Sequence, residues 1–327
     1  MNTRRRWMAA GAALPALAWT GALRAQTKPP VVIGWLSTGT QAAGEVGRKT
    51  FSESMAALGW KLGEHYVFEA RSADGRMELL PALAEEIAAK KPALFVVMPS
   101  SSARAAMAAA PSTPVVLALG DPLSTGLVAS LARPNGMITG LSNVSTDTGQ
   151  KAIELLVETL PKLQRVGFLA DATNSNLAAT VSNARLAAER FRLQAVIVDI
   201  AKPEDIEPAL ARMAKAKVQA LVVLPSSWFQ AHVSKIIEPA LAQRWPVAGN
   251  LERIPRYGGL FSFGADERAL IQRSATYVDR VLKGAKPGDL PIEQPTTFKM
   301  VLNLKTAKAL GITIPPSVLL RATEVIE

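Results

Sequence analysis

The stretch LPALA at 80–84 leads through a helix-length segment into VVMPSS at 96–101, and the same order returns as EPALA at 207–211 followed by VVLPSS at 222–227. Pro81 and Pro99 stand 18 residues apart and Pro208 and Pro225 stand 17 apart, so the two units differ by one residue. In the first unit Leu80, Leu83, Ala84 and Ile87 fall at i, i+3, i+4 and i+7, which places them on one face of a helix. The run from Leu94 to Met98 is uninterruptedly apolar, as a strand buried on both faces of a parallel sheet requires. Chance likeness between two alanine-rich α/β units is the plain alternative. Two lobes of like topology, offset by about 127 residues, is the reading taken.

Working outward, the same grammar covers the chain. Strands are expected at Val31 to Ser37, His65 to Arg71, Val115 to Leu119, Val166 to Ala170, Ala195 to Ile200, Ala220 to Leu224 and Pro246 to Gly249. Helices are expected at Ala42 to Leu58, Met77 to Lys90, Lys151 to Leu160, Leu177 to Phe191 and Glu204 to Ala216. Alternation on this scale means an α/β protein with doubly wound parallel sheets. Ligands then collect beyond the carboxyl ends of the strands, where both Pro-Ser-Ser turns lie.

At 327 residues the chain suits two domains, on a scale of about 150 residues each. The absence of cysteine excludes disulfides, thiolate nucleophiles, iron–sulfur clusters, Cys-ligated zinc and a lipid-modified N-terminal Cys. The only histidines, His65 and His232, share no metal-ligand spacing, so no metal and no cofactor is expected. The formal charge of +10 includes Arg4, Arg5, Arg6 and Arg24 of a leader without acids; without them 33 basic groups face 27 acidic ones, a net +6. Those charges are scattered and carry no interleaved aromatics, so nucleic acid is not an expected partner.

The leader has a basic start, an apolar stretch from Met8 to about Ala22, and Leu-Arg-Ala-Gln at 23–26, the layout of an export signal cut near Ala25. Thr3 to Met8 resembles the twin-arginine consensus, although three arginines also serve ordinary Sec export. Pro15 and a length of about 15 residues argue against a membrane span. The mature protein is expected to be free in a periplasm, not a lipoprotein.

The strand-end loops are rich in hydroxyl and amide side chains: Ser37 and Thr38, Ser100 and Ser101, Ser142 and Asn143, Asn174, Ser175 and Asn176, and Ser226, Ser227 and Trp228. Each Ser or Asn can cap a helix or, with the free N–H groups there, hold a ligand carboxylate or phosphate. Asp121, before Pro122, can receive an ammonium or hydroxyl or serve a turn. Trp228 can stack on a ring or pack against its own helix. Asn250 and Glu252 follow a strand end, as candidates or as solvated loop residues. Glu85–Glu86 and Asp266–Glu267 read as helix-surface charges. No nucleophile elbow, Walker A loop or Rossmann glycine fingerprint occurs, and a serine nucleophile would have only the two histidines as base, so no catalytic residue is assigned.

The stretch LALGDPLSTGLVASLARPNG at 117–136, then ITGLS at 138–142, resembles the ABC transporter substrate-binding proteins of the tryptophan/tyrosine-type family, which have a type I periplasmic-binding-protein fold. The end, VLNLKTAKALGITIPPSVLLRATEVI at 301–326, resembles them too, with Thr323 where the family usually has Asp. The resemblance runs from about Val31 to Glu327. It implies two lobes joined by three crossovers near Ser142, Gly264 and Glu293, spanning 31–142 plus 265–293 and 143–264 plus 294–327. It implies cleft residues at Ser37, Thr38, Ser100, Ser101, Asp121, Pro122, Ser142, Asn143, Asn174 to Asn176 and Ser226 to Trp228. The expected function is capture of a small polar solute, an amino acid or other carboxylate, by hinge closure. Delivery would be to an inner-membrane ABC permease with its ATPase, by a monomeric protein. A hydrolase on the same scaffold, or a sensory protein presenting ligand to a receptor, are the alternatives.

Overall fold

The computed structural model describes residues 29–174 and 177–327. The expected export signal, with Ser175 and Asn176, lies outside the described residues. The first half of the chain runs β1 (Val31–Ser37), α1 (Gln41–Ala57), β2 (Tyr66–Ser72), α2 (Leu80–Ala88), β3 (Leu94–Met98), α3 (Ser100–Ala109), β4 (Val115–Leu117) and β5 (Ile138–Gly140). The second runs α4 (Ser145–Thr159), β6 (Arg165–Asp171), α5 (Leu177–Arg190), β7 (Gln194–Ile200), α6 (Ile206–Lys215), β8 (Ala220–Val223), α7 (Ser227–Ala242), β9 (Val247–Gly249), α8 (Arg253–Arg256) and β10 (Phe261–Ala265). Then follow α9 (Glu267–Leu282), β11 (Phe298–Asn303), α10 (Leu304–Leu310), α11 (Pro316–Leu319) and β12 (Glu324–Ile326).

These elements build two sheets. The first has the order β2-β1-β3-β4-β5, and every pair in it is parallel. The second has the order β12-β11-β10-β9-β8-β6-β7. Read without its last two strands, the second order repeats the first strand for strand: β7-β6-β8-β9-β10 answers β2-β1-β3-β4-β5. The repeated sequence units are α2, β3 and the start of α3 in one lobe, and α6, β8 and the start of α7 in the other. Two topologically equal lobes are what that repeat encodes.

The expected parallel, doubly wound sheets are present, with one antiparallel pair in the second. β11 pairs antiparallel with β10, Phe261 facing Leu302 and Ala265 facing Phe298, and β12 runs parallel to β11. The reason is connectivity: α9 departs for the first lobe after β10, packing on α1, and the chain that returns enters the second sheet from the opposite end. Strand direction there is set by the return path and not by any local residue pattern.

Each sheet is buried on both faces, which is why its strands are continuously apolar. Trp35, Phe51, Tyr66 and Val96 lie on one side of the first sheet and Leu36, Phe95, Val97 and Ile87 on the other. Phe168, Phe261 and Leu302 against Phe229, Ile236 and Val247 do the same for the second. Trp35 is fully buried, its ring edge-on to Phe51 at 5.6 Å and to Phe68 at 5.7 Å. Among the described residues no helix is long and apolar enough to cross a membrane.

Three chain segments connect the lobes side by side. After β5, the Ser142 N–H donates to the Glu293 carbonyl at 2.8 Å, and the Glu293 N–H donates to the Gly140 carbonyl at 3.0 Å. Gly140 has φ of 132°, and a Cβ there would sit 2.1 Å from the Leu117 carbonyl oxygen, so only glycine permits this approach. After β10, the Asp266 N–H donates to the Thr297 carbonyl at 3.2 Å. Arg273 of α9 grips Glu293 with two parallel bonds, Nε to Oε2 at 2.9 Å and Nη2 to Oε1 at 2.8 Å. That fork, with burial working against it, holds the Glu293 carboxyl below the usual range.

Candidate functional site

The carboxyl ends of seven strands converge on a cavity of about 220 Å3. The first lobe contributes Ser100 and Ser101 after β3, Gly120 and Asp121 after β4, and Asn143 after β5. The second contributes Asp171, Thr173 and Asn174 after β6, Ser226 after β8, and Asn250 after β9. Glu267 follows β10 at the first turn of α9, which belongs to the first lobe. Met77, Leu119, Leu251 and two prolines, Pro99 and Pro225, supply apolar wall. The peptide bond Met98–Pro99 is cis.

Of the residues singled out in the sequence, Ser100, Ser101, Asp121, Asn143, Asn174 and Ser226 line this cavity. Ser100 Oγ accepts the Asp121 N–H at 3.1 Å, tying the β3 and β4 ends together. Asp121 Oδ1 accepts the Ser124 N–H at 3.3 Å, so this side chain serves its turn as well as the wall. Ser226 caps α7 by accepting the Trp228 N–H at 3.0 Å and donates to Asp171 Oδ2 at 2.5 Å. Asn174 donates from Nδ2 to the Pro225 carbonyl at 3.1 Å, bracing the β6 loop on the β8 turn.

The others are placed elsewhere. Ser37 is 3% exposed and bonds Ser72 Oγ at 3.1 Å, while Thr38 donates its N–H to the Met98 carbonyl and accepts the Gly75 N–H. The loop at 73–75 thus folds over the end of β1 and holds these two below the cavity wall. Pro122 accepts the N–H groups of Leu127 and Val128 and closes a turn. Ser142 Oγ accepts the Val144 N–H at 3.2 Å within the first crossover. Trp228 is 7% exposed, stacks on His232 one helical turn along at 4.2 Å, and meets Phe229 edge-on, so it packs into the second lobe's core and not into the cleft. Ser227 opens α7.

The sequence reading passed over several lining residues. Asp171 is consumed locally: its Oδ1 accepts the Thr173 N–H at 2.8 Å and the Thr173 hydroxyl at 2.6 Å. The Asp-x-Thr spacing after a strand is the signal that marks it. Asn250, weighed from the sequence as a candidate or as a solvated loop residue, lines the cavity with its Oδ1 buried. The largest correction is Glu267. It is half-buried at the cavity and not a helix-surface charge, because Asp266 caps α9 through the Ala269 N–H and so sets Glu267 at a strand end facing inward.

The electrostatics of the cavity are one-sided. Asp121, Asp171 and Glu267 line it, and among the described residues no Lys or Arg does. Burial pushes the Glu267 carboxyl up from its ordinary value, and the like charge of Glu252 adds to that. Glu252 itself is raised by burial, but hydrogen bonds and charge from Lys299 and Arg256 overcome this and hold it below the usual range. The side-chain oxygens Asn143 Oδ1 and Asn250 Oδ1 are buried with no hydrogen-bond partner among the described residues. Each such orphaned acceptor costs about 1–3 kcal/mol, so both ask for a donor. Neither histidine lines the cavity: His65 accepts the Lys61 N–H on the surface, and His232 Nδ1 meets the Trp228 carbonyl.

Two like-wound lobes with one polar cavity between their strand ends define a solute-binding protein of the type I periplasmic-binding class. The chain belongs to the ABC transporter substrate binding protein family, whose model matches residues 42–326. It is 24% identical over 267 residues to a "Tyrosine-binding protein" of Clostridioides difficile, covering 81% of this chain and 76% of that one. A Streptococcus pneumonia ABC domain solved in complex with L-Trp shares 26% identity at a TM-score of 0.84, covering 91% of this chain and all of the other. A conserved domain protein from Vibrio cholerae shares 25% identity, also at 0.84, covering 90% of this chain and 99% of that one.

Proposed function

We propose that this chain is the exported solute-capturing component of an ABC importer, working as a monomer in a periplasm after cleavage near Ala25. Its lobes are the units 31–142 plus 265–293 and 143–264 plus 294–327. A small solute touches the walls of both lobes only when they approach, so its differential contacts stabilise the closed form. The closed form then docks on an inner-membrane permease, whose partner ATPase supplies the energy.

The observation that carries this reading is the cavity built from strand ends of both lobes. At about 220 Å3 it is smaller than the roughly 300–1,000 Å3 of pockets for drug-sized ligands, which supports a small solute. An amino acid fits the wall chemistry. Its carboxylate can meet the Ser100 and Ser101 hydroxyls at the N-terminus of α3, where the helix dipole favours an anion. A relative described as tyrosine-binding and another solved with L-Trp support the same class.

A thermal-shift screen of the purified protein against amino acids, primary amines, simple carboxylates and polyols tests it. A binder at about 100 times its Kd adds about 2.7 kcal/mol, a rise of roughly 5–10 °C in Tm. A chain whose Tm no member of the panel moves would contradict solute capture.

A further inference from the structure

We infer that the cavity selects solutes bearing an ammonium group, and that Glu267 is the residue that receives it. This rests on the solute-capture reading above and names what that cavity discriminates.

The three lining carboxylates are not equivalent. Asp171 is occupied by Thr173 and Ser226, and Asp121 holds the Ser124 N–H. Glu267 has a single hydrogen bond among the described residues, from Gln230 Nε2 at 3.4 Å, and forms no ion pair. The charged groups facing it are Glu252 on the β9 loop, Asp266 beside it and Arg253 of α8. Arg253 turns its guanidinium to the Gln230 carbonyl at 3.4 Å, and Glu252 is held by Lys299 at 2.7 Å and Arg256 at 3.1 Å. Glu267 is therefore the cavity carboxylate left with the least compensation for its burial, an expensive state that a cation relieves.

A second observation points the same way. Asn143 and Asn250 both line the same cavity, and the side-chain oxygen of each is buried with no hydrogen-bond partner among the described residues. Asn250 also lies against β10, since a Cβ on Gly264 would be 2.8 Å from the Asn250 backbone oxygen, and Glu267 follows three residues on. An ammonium brings N–H donors and a positive charge, which suits a half-buried carboxylate in a polar wall that holds no cation among the described residues. A polyol brings donors without charge. A plain carboxylate adds a fourth negative group to a wall without a cation.

Calorimetric titration of the whole protein tests this with L-tyrosine and L-tryptophan, aliphatic amino acids, putrescine, the des-amino counterparts of the amino acids, and polyols. The expected result is a binder that carries an amine, with its des-amino counterpart about 100-fold weaker. Glu267→Gln should weaken the amine about 10- to 100-fold, while Glu267→Asp, which keeps the charge, retains more of the affinity. Affinity should also fall as pH drops through the raised Glu267 titration, because only the ionised carboxylate pairs with the ammonium. A des-amino acid or polyol binding as well as the amine, or Glu267→Gln staying within about threefold of wild type, overturns the inference and leaves solute capture standing. A protein that binds nothing in the panel overturns both.

Discussion

Gln230 of α7 and Glu267 at the start of α9 meet across the cavity, the amide Nε2 donating to the carboxylate Oε1 at 3.4 Å. One residue is mounted on the seven-stranded lobe and the other on a helix packed against the five-stranded lobe. The bond is long, so it is a weak tie between two walls that a solute strengthens. Gln230→Ala should therefore lower solute affinity only about fivefold, near 1 kcal/mol, with little change in the melting temperature of the unliganded protein. Calorimetry and a melting curve on the same sample separate the two effects.

Glu267 carries a stability signature of its own. Its carboxyl is raised in the folded protein, so folding binds its proton more tightly than the unfolded chain does, and stability declines as pH climbs from the ordinary carboxylate value through the raised one. The penalty is fully present above that window. Glu267→Gln should raise the Tm of the unliganded protein at pH 7–8, and the gain should vanish near pH 4. Equal gains at both pH values would contradict an ionised, poorly compensated carboxylate.

The crossover fork behaves with the opposite sign. Glu293 is held below the ordinary carboxylate range by Arg273, so its contribution is present above the unfolded value and is lost as pH falls towards and below it. Both side chains are substantially exposed, 51% and 36%, so the pair is worth only about 0.5–1 kcal/mol. Urea midpoints measured between pH 7 and pH 3 should converge for wild type and Arg273→Ala at the acidic end.

Core packing gives a larger number. Phe168 is fully buried in the middle of β6, on the sheet face that packs in one core with Leu156 of α4 and Ala184 and Ala188 of α5. Phe168→Ala should cost about 3–5 kcal/mol by chemical denaturation. A loss below about 1 kcal/mol would mean the lobe repacks freely.

The sequence made the two-lobe plan legible because parallel strands buried on both faces leave continuous apolar runs, and the Pro-Ser-Ser turns mark equivalent strand ends. The outer strands β11 and β12 were not expected from the sequence, since their place and direction follow from where the chain returns after α9. Ser100, Asn143 and Ser226 were found because hydroxyl and amide residues at strand ends face the cleft. Ser37 and Thr38 have the same signature but are roofed by the loop at 73–75, a tertiary contact without local sequence trace. Trp228 sits at a strand end too, yet the second position of α7 turns it inward onto His232. Glu267 was hidden because an acid after a capping Asp looks like any solvated first turn until the lobe it faces is known.

The absence of cysteine allows a clean spin-label measurement across the cleft. Leu123 is 48% exposed on the loop between Asp121 and Thr125, and Ser182 is exposed on α5 two residues past Thr180, so the pair flanks lining residues of opposite lobes. The distance between labels at Leu123→Cys and Ser182→Cys should be broad and long without solute. It should become narrow and short at saturation with the solute that most raises the melting temperature. A distribution that a tight-binding solute leaves unchanged would contradict capture between closing lobes.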